Sequence, residues 1–304
     1  MGVLLTFDYE LFLGTKSGTI DNCLIKPTNM LLDILAKHKQ QAIFFVDTTY
    51  LARMEGIQDT YSQIKRDYRH IRSQLKQIVQ QGHILCHHLH PHWLDAQYNE
   101  SENQWNLSNT RYYKIEDVDD TTKDRLFADS VRILNSILTD AGVKQSIDGF
   151  RAGGLCLDAL ESLLPFLKKY GITKDYSSVK PISEQMELYS SQDIQEYPIT
   201  AITISGLWKI ANALCYRMNK HKAHFRPMGD GISSAPMNKK HTEKQSYISF
   251  TLPISVELLN PVLLRFYILL YKKYQYIHFL SHPKLQSQAT IRLLDIFLQR
   301  IAKN

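Results

Sequence analysis

The densest chemistry in the sequence is the run Gly82-His-Ile-Leu-Cys-His-His-Leu-His-Pro-His-Trp93, in which His83, His87, His88, His90 and His92 crowd together. Imidazole nitrogen is a common ligand for zinc and similar ions. His88 and His92 are four residues apart, so on a helical turn both rings leave from one face and can share an ion. Such an ion brings the pKa of bound water from ~15.7 to about 7, which supplies a nucleophile under cellular conditions. The competing reading is a histidine-rich surface loop with adventitious metal affinity. His83, His87 and His90 read as supporting or structural.

Three other segments carry groups that could join that chemistry. Thr6-Phe-Asp8-Tyr-Glu10 offers two carboxylates that can divide labour between metal ligand and general base, or simply turn and cap residues. In Gly149-Phe-Arg151-Ala-Gly-Gly154 the arginine can pair with a carboxylate and hold it ionised, and the glycines can bring backbone N–H groups to an oxyanion. The alternative there is a structural salt bridge and a helix-start turn. Phe279-Leu-Ser-His282-Pro-Lys places a histidine where it can protonate a leaving amine.

These segments need strand ends to hold them. Val3–Phe7, Ala42–Val46, Ile84–Cys86, Ile147–Phe150 and Tyr276–Leu280 read as strands, from their short β-branched and aromatic runs. Helical spacing covers Pro27–Lys39, Gln58–Gln81, Thr122–Ala141, Leu157–Tyr170 and Gln286–Ile301. Strand and helix in alternation predict an α/β fold with a parallel sheet or barrel, whose reactive groups collect at the C-terminal strand ends. Every polar segment above lies at such an end. Residues 93–118 form a long polar-aromatic loop, and 180–250 mix a strand pair with a basic insertion at about 205–245. No repeat or linker is visible, so residues 1–304 read as one domain.

Hydrophobic residues at 44% and charged residues at 22% of 304 are the balance of a globular protein, which excludes disordered and collagen-like classes. The four scattered cysteines read as reduced thiols. The apolar stretch from Pro261 to Leu280 is broken by Arg265, Lys272 and Lys273 and fails the test of a membrane span. With a strand at Gly2–Asp8 and no leader pattern ahead of it, a cytoplasmic chain with at most peripheral membrane contact is expected. The net charge of +6 gathers around Lys209–Lys244, read either as a patch for anionic partners or as a solvated surface. No nucleic-acid module appears.

In this order the four segments resemble the polysaccharide deacetylases (the NodB-homology group, carbohydrate esterase family 4). Phe-Asp8-x-Glu10 resembles the first motif, Gly82-His-x4-His88-x3-His92 the second, Phe-Arg151 the third, and Leu-Ser-His282-Pro the last. The resemblance implies a distorted (β/α) barrel of about seven parallel strands and a divalent metal, zinc by preference. It implies Asp8 as base, Arg151 as the group that orients it, His282 as general acid, and Glu10, His88 and His92 as metal ligands. Tyr9 stands where many members have a second aspartate, and the proline and tyrosine usual after the arginine are missing, which leaves Ala152 or Gly153 as oxyanion donor. The implied reaction is hydrolysis of an N-acetyl group from an amino sugar in surface-polysaccharide or lipopolysaccharide assembly, on a precursor that is nucleotide- or lipid-linked. A deformylase or amidase of the same fold and a non-catalytic glycan-binding relative are the alternatives.

Overall fold

The computed structural model describes residues 2–109, 111–184, 190–191, 194–233 and 249–302. Its main sheet starts from runs that are apolar on both faces, as strands covered from both sides must be. These are β1 (Val3–Tyr9), β2 (Ala42–Asp47) and β3 (Ile84–Leu89), with a small hairpin of β4 (Gln97–Asn99) and β5 (Gln104–Asn106) after them. Then follow β6 (Gly149–Ala152), β7 (Lys174–Asp175), β8 (Val179–Pro181), β9 (Ser190–Ser191), β10 (Ile194–Glu196), β11 (Ile199–Ser205), β12 (Ser249–Pro253) and β13 (Ile277–Ser281).

The sheet order is β13-β1-β2-β3-β6-β7-β10-β9. Its first seven strands pair in parallel, and β9 adds antiparallel at the edge. The sheet curls into the half-barrel expected of the deacetylase type. A second sheet, β12-β11-β8, lies beside it. The two join where Leu280 N donates to Ile254 O (3.0 Å) and His278 N to Thr200 Oγ1 (2.9 Å).

Helices α1 (Lys26–Lys37), α2 (Thr48–Ile57), α3 (Ser62–Gln80), α4 (Asp120–Ala141), α5 (Leu164–Lys169), α6 (Gly206–Asn219), α7 (Pro261–Tyr274) and α8 (Gln288–Ile301) connect the strands. In α3 the buried Ile64, Tyr68, Ile71, Leu75 and Ile78 recur at helical spacing and form the apolar stripe that seats it. Most expected elements lie within two or three residues of their predicted bounds. Three differ more. The Gln58–Gln81 helix is split from a separate α2, because Asp47 caps a new helix by accepting from Tyr50 N (3.2 Å). Leu157–Tyr170 is helical in an α sense only over its last turn and a half. The apolar Pro261 stretch is α7, started by Asn260, whose side chain accepts from Val262 N and Leu263 N. Of the basic insertion, residues 206–219 form α6, and 234–245 lie outside the described residues. So do Tyr247 and Ile248 of the expected strand pair.

Strand alternation sorts β1 by face. Leu5, Phe7 and Tyr9 join the core between sheet and helices, and Phe7 stacks on Phe44 at 5.3 Å. Thr6 and Asp8 point the other way, into the half-barrel, where they meet a buried His278. The His278 ring has Nδ1 2.9 Å from Pro198 O and Nε2 3.3 Å from Arg151 Nη2. Burial and the Arg151 charge pull its pKa down from 6.5 to about 3, so it is neutral, with Nδ1–H donating and Nε2 accepting.

His278 therefore makes stability depend on pH. The unfolded chain takes up this proton near pH 6.5 and the folded chain only near 3, so the unfolded state binds more protons in between. Stability falls as pH drops through that window, by about 2 kcal/mol between roughly pH 7.5 and 5. Urea unfolding at both pH values checks this: His278→Gln is expected to lose about that much of the pH dependence, and an unchanged dependence would contradict the assignment.

Candidate metal centre and active site

The half-barrel gathers its polar groups at the C-terminal ends of β1, β3, β6 and β13. On β1, Asp8 and Glu10 are two apart in extended chain and share the inner face. Tyr9 between them faces the helices, and its hydroxyl donates to Gln74 Oε1 at 2.7 Å. On β3 the ladder holds the chain extended through Leu89, with Asp47 of β2 opposite His88 on one side and Arg151 of β6 on the other. Period-2 alternation then turns His88 inward and His87 outward, where His87 Nδ1 lies 2.7 Å from Ser130 Oγ of α4. His90 follows His88 on the inner side. Pro91 opens a short 3-10 turn that carries His92.

His88 and His90 thus form the close pair, with Nε2 atoms 3.0 Å apart. Glu10 Oε2 is 2.5 Å from His90 Nε2 and 3.3 Å from His88 Nε2. One ligand atom from each of Glu10, His88 and His90 lies within 4.8 Å of the other two, and all three residues are buried. Glu10 Oε2 has no hydrogen-bond partner among the described residues despite this crowding. Converging donors about 3 Å apart suit ligands placed 2.0–2.2 Å from one divalent ion. His88 Nδ1 lies 2.9 Å from Arg151 O, which takes its proton and leaves Nε2 as the lone pair facing the cluster. The donor set fits a metal.

His92 stands one step further out. Its ring is 5.8 Å from that of His90 and 5.1 Å from that of Tyr113, and both of its ring nitrogens are buried with no hydrogen-bond partner among the described residues. Burial and the neighbouring His90 pull its pKa down to about 3. A cavity of about 210 Å³ opens over the cluster and is lined by Glu10, His90, His92, Tyr113, His282 and Lys284, among others.

Arg151 is wholly buried. It donates from Nη1 to Asp8 Oδ1, from Nη2 to Thr6 Oγ1 (2.8 Å) and from Nε to Tyr176 O (3.1 Å), and lies over the Phe45 ring at 4.0 Å. Burial works against the charge on Asp8, but Arg151, then His88 and His282, hold its carboxyl below the usual range. The other oxygen, Oδ2, is left 3.8 Å from His88 Nε2 and 3.7 Å from His282 Nε2. Ala152 N donates to Ser177 Oγ at 2.9 Å, so this N–H is already engaged. Gly153 has a steric reason: a Cβ there would sit 2.5 Å from Leu89 O and 2.6 Å from His90 Nδ1.

Two groups that sequence reasoning passed over complete the site. Glu257 Oε1 is 2.9 Å from His282 Nδ1, while its Oε2 accepts from Ser281 Oγ. Burial opposes a charged imidazole, but this carboxylate raises the pKa of His282 above its usual value. Lys284 Nζ donates to Glu10 Oε1 (2.8 Å) and Leu11 O (2.7 Å); against the cost of burial, it and His90 hold the Glu10 carboxyl well below its usual range. Trp93 and Trp105 pack with Tyr50 in the core, with ring separations of 4.4 and 6.0 Å, instead of facing the cavity.

Residues 2–126 match the polysaccharide deacetylase family model. No curated protein matches the chain. A solved structure from Mycobacterium smegmatis, assigned to the polysaccharide deacetylases, aligns over 99% of this chain and 83% of its own, with 14% identity and a TM-score of 0.50, a likeness of fold. A family 4 carbohydrate esterase from Streptomyces lividans in complex with acetate aligns over 99% and 88%, with 12% identity and a TM-score of 0.43. Over residues 2–126 the chain is therefore similar to the polysaccharide deacetylases, and its fold as a whole is like that of the Mycobacterium smegmatis structure.

Proposed function

We propose that this chain is a metal-dependent N-deacetylase acting on an amino sugar during surface-polysaccharide or lipopolysaccharide assembly. One observation carries the reading: Asp8, Glu10, His88, His90 and His282 converge on one buried point beneath an open cavity, with Arg151 fixed behind them. Of the histidines expected as ligands, His88 is retained, and His90 is proposed beside it with Glu10. His92, expected as the second ligand, is proposed to meet the substrate from the cavity wall. Zinc is the preferred ion for one carboxylate and two imidazoles, and when bound it supplies Lewis-acid polarisation of the acetyl carbonyl and of water.

The protein's own groups do the proton work. Asp8, held ionised through Oδ1 by Arg151, presents Oδ2 to take the proton of the attacking water. His282 stands across from it, charged by its contact with Glu257, and donates a proton from Nε2 to the departing amine. Glu257 fixes the ring orientation through Nδ1 and so acts as a positioning residue. Lys284 occupies the Oε1 atom of Glu10 and leaves Oε2 for the ion. A purely glycan-binding role has no use for this opposed pair of proton-transfer groups. A lipid- or nucleotide-linked substrate is supported by the cation-rich stretch from Lys209 to Arg226.

Release of free amine from N-acetylated amino sugars tests the reading. Asp8→Asn is expected to lower kcat by roughly 10²–10⁴-fold with zinc content retained. Unchanged turnover in that variant would defeat the mechanism. Zinc titration separates the ligands: His88→Ala and His90→Ala should each lose more than about 100-fold in affinity, and His92→Ala less than about 10-fold. The reverse order between His90 and His92 would reassign the second histidine ligand.

A further inference from the structure

Helix α6 turns an apolar face outward. Leu207, Ile210, Leu214 and Met218 are 84%, 59%, 55% and 71% exposed, and no residue of the helix is buried. Their spacing of three, four and four residues draws them into one stripe along the helix. The opposite side of α6 is the one that meets the protein. There Trp208 packs on Phe266 of α7 at 5.1 Å between rings, and Asn212 Oδ1 accepts from Asn260 Nδ2 at 2.8 Å. A folded chain ordinarily buries such a stripe.

Charge indicates what covers it. From Gly206 to Arg226 the sequence carries Lys209, Arg217, Lys220, Lys222 and Arg226 without a single Asp or Glu, and the last four are exposed. Neighbouring α7 adds Arg265, Lys272 and Lys273, again with no carboxylate, and an exposed Leu269. A groove of about 590 Å³ runs along α7, bounded by Ile296 and Arg300 of α8 and by Trp208 of α6, with Arg265, Leu269 and Lys272 in its lining. A second copy seated stripe to stripe would press these cations against their own equivalents. Among the described residues no helix is long and apolar enough to cross a membrane, and the 14 residues of α6 span only about 21 Å. Short length, an apolar stripe and uniformly positive flanks describe a helix that lies in the headgroup plane.

We propose that α6 docks this protein on the surface of an anionic lipid bilayer. Leu207, Ile210, Leu214 and Met218 enter the acyl boundary, while Arg217, Lys220, Lys222 and Arg226 meet the phosphates. Residues 220–233 then lead from the docking helix to the catalytic mouth. Met228 N donates to Gln286 O (2.8 Å), Gly229 N donates to Lys284 O (3.1 Å), and Ser233 lines the cavity. The surface is independent of the reaction, and its test needs no turnover.

Co-sedimentation of the full chain with phosphatidylcholine vesicles, with and without phosphatidylglycerol, reads the interaction. Binding is expected to the phosphatidylglycerol vesicles and to weaken with salt. Arg217→Glu/Lys220→Glu/Lys222→Glu should lose about five-fold in partition for each cation removed. Leu214→Asp/Met218→Asp should abolish binding while circular dichroism and thermal unfolding stay as in the parent, since both side chains are exposed. Failure of the parent chain to bind phosphatidylglycerol vesicles would overturn the proposal. So would undiminished binding by the aspartate variant, or a dimer that the same variant dissociates in a chain that ignores vesicles.

Discussion

The contact on which the rest of this structure depends is that between Arg151 and Asp8, an ion pair inside the curl of the sheet. A buried guanidinium is tolerable only when its donors are satisfied, and here β1, the chain after β7 and the face of Phe45 supply the partners. Strands β1, β2 and β6 and the chain after β7 are thereby tied at one depth. The same pair fixes the chemistry, because it engages one Asp8 oxygen, keeps the carboxyl ionised and leaves the other oxygen facing the cluster. Removing either partner strands a buried charge, a change that costs about 3–5 kcal/mol. Stability and the proposed base are therefore secured by one interaction.

A second constraint is backbone alternation. It puts Asp8 and Glu10 on one side of β1 and explains why Tyr9 between them does no harm: that side chain belongs to the helix layer, bonded to Gln74. It also sets which imidazoles lie together. Reading the run as a helical turn pairs His88 with His92, whereas the parallel ladders on both sides of β3 keep the chain extended and pair His88 with His90. The cue was present in the sequence, since Ile84-Leu-Cys-His-His-Leu is strand-like, but the predicted strand stopped at Cys86. Three residues more of β3 change which imidazoles converge.

The fold class was legible because apolar runs and helical stripes alternate from Val3 to Ile301, and the parallel half-barrel follows from that order. Asp8, Glu10, Arg151 and His282, which the structure brings into one cluster, could be picked out as candidates because each sits just at or past the end of a strand-like run. Glu257 was not, since it lies in a loop after β12 and meets His282 only through the junction of the two sheets. Lys284 was in view beside His282, yet nothing in Pro-Lys tells that its amine turns back 274 positions to Glu10. Helix α6 was hidden for another reason: its apolar stripe faces outward, so the insertion read as merely basic.

The most direct test of the central claim, that the extended strand and not a helical turn selects the metal ligands, is a crystal structure of the zinc-loaded chain with anomalous scattering recorded at the zinc edge. The account predicts one peak at about 2.0–2.2 Å from His88 Nε2, His90 Nε2 and Glu10 Oε2, with His92 outside the coordination sphere. A peak coordinated by His92 and not His90, or one remote from Glu10, would contradict it.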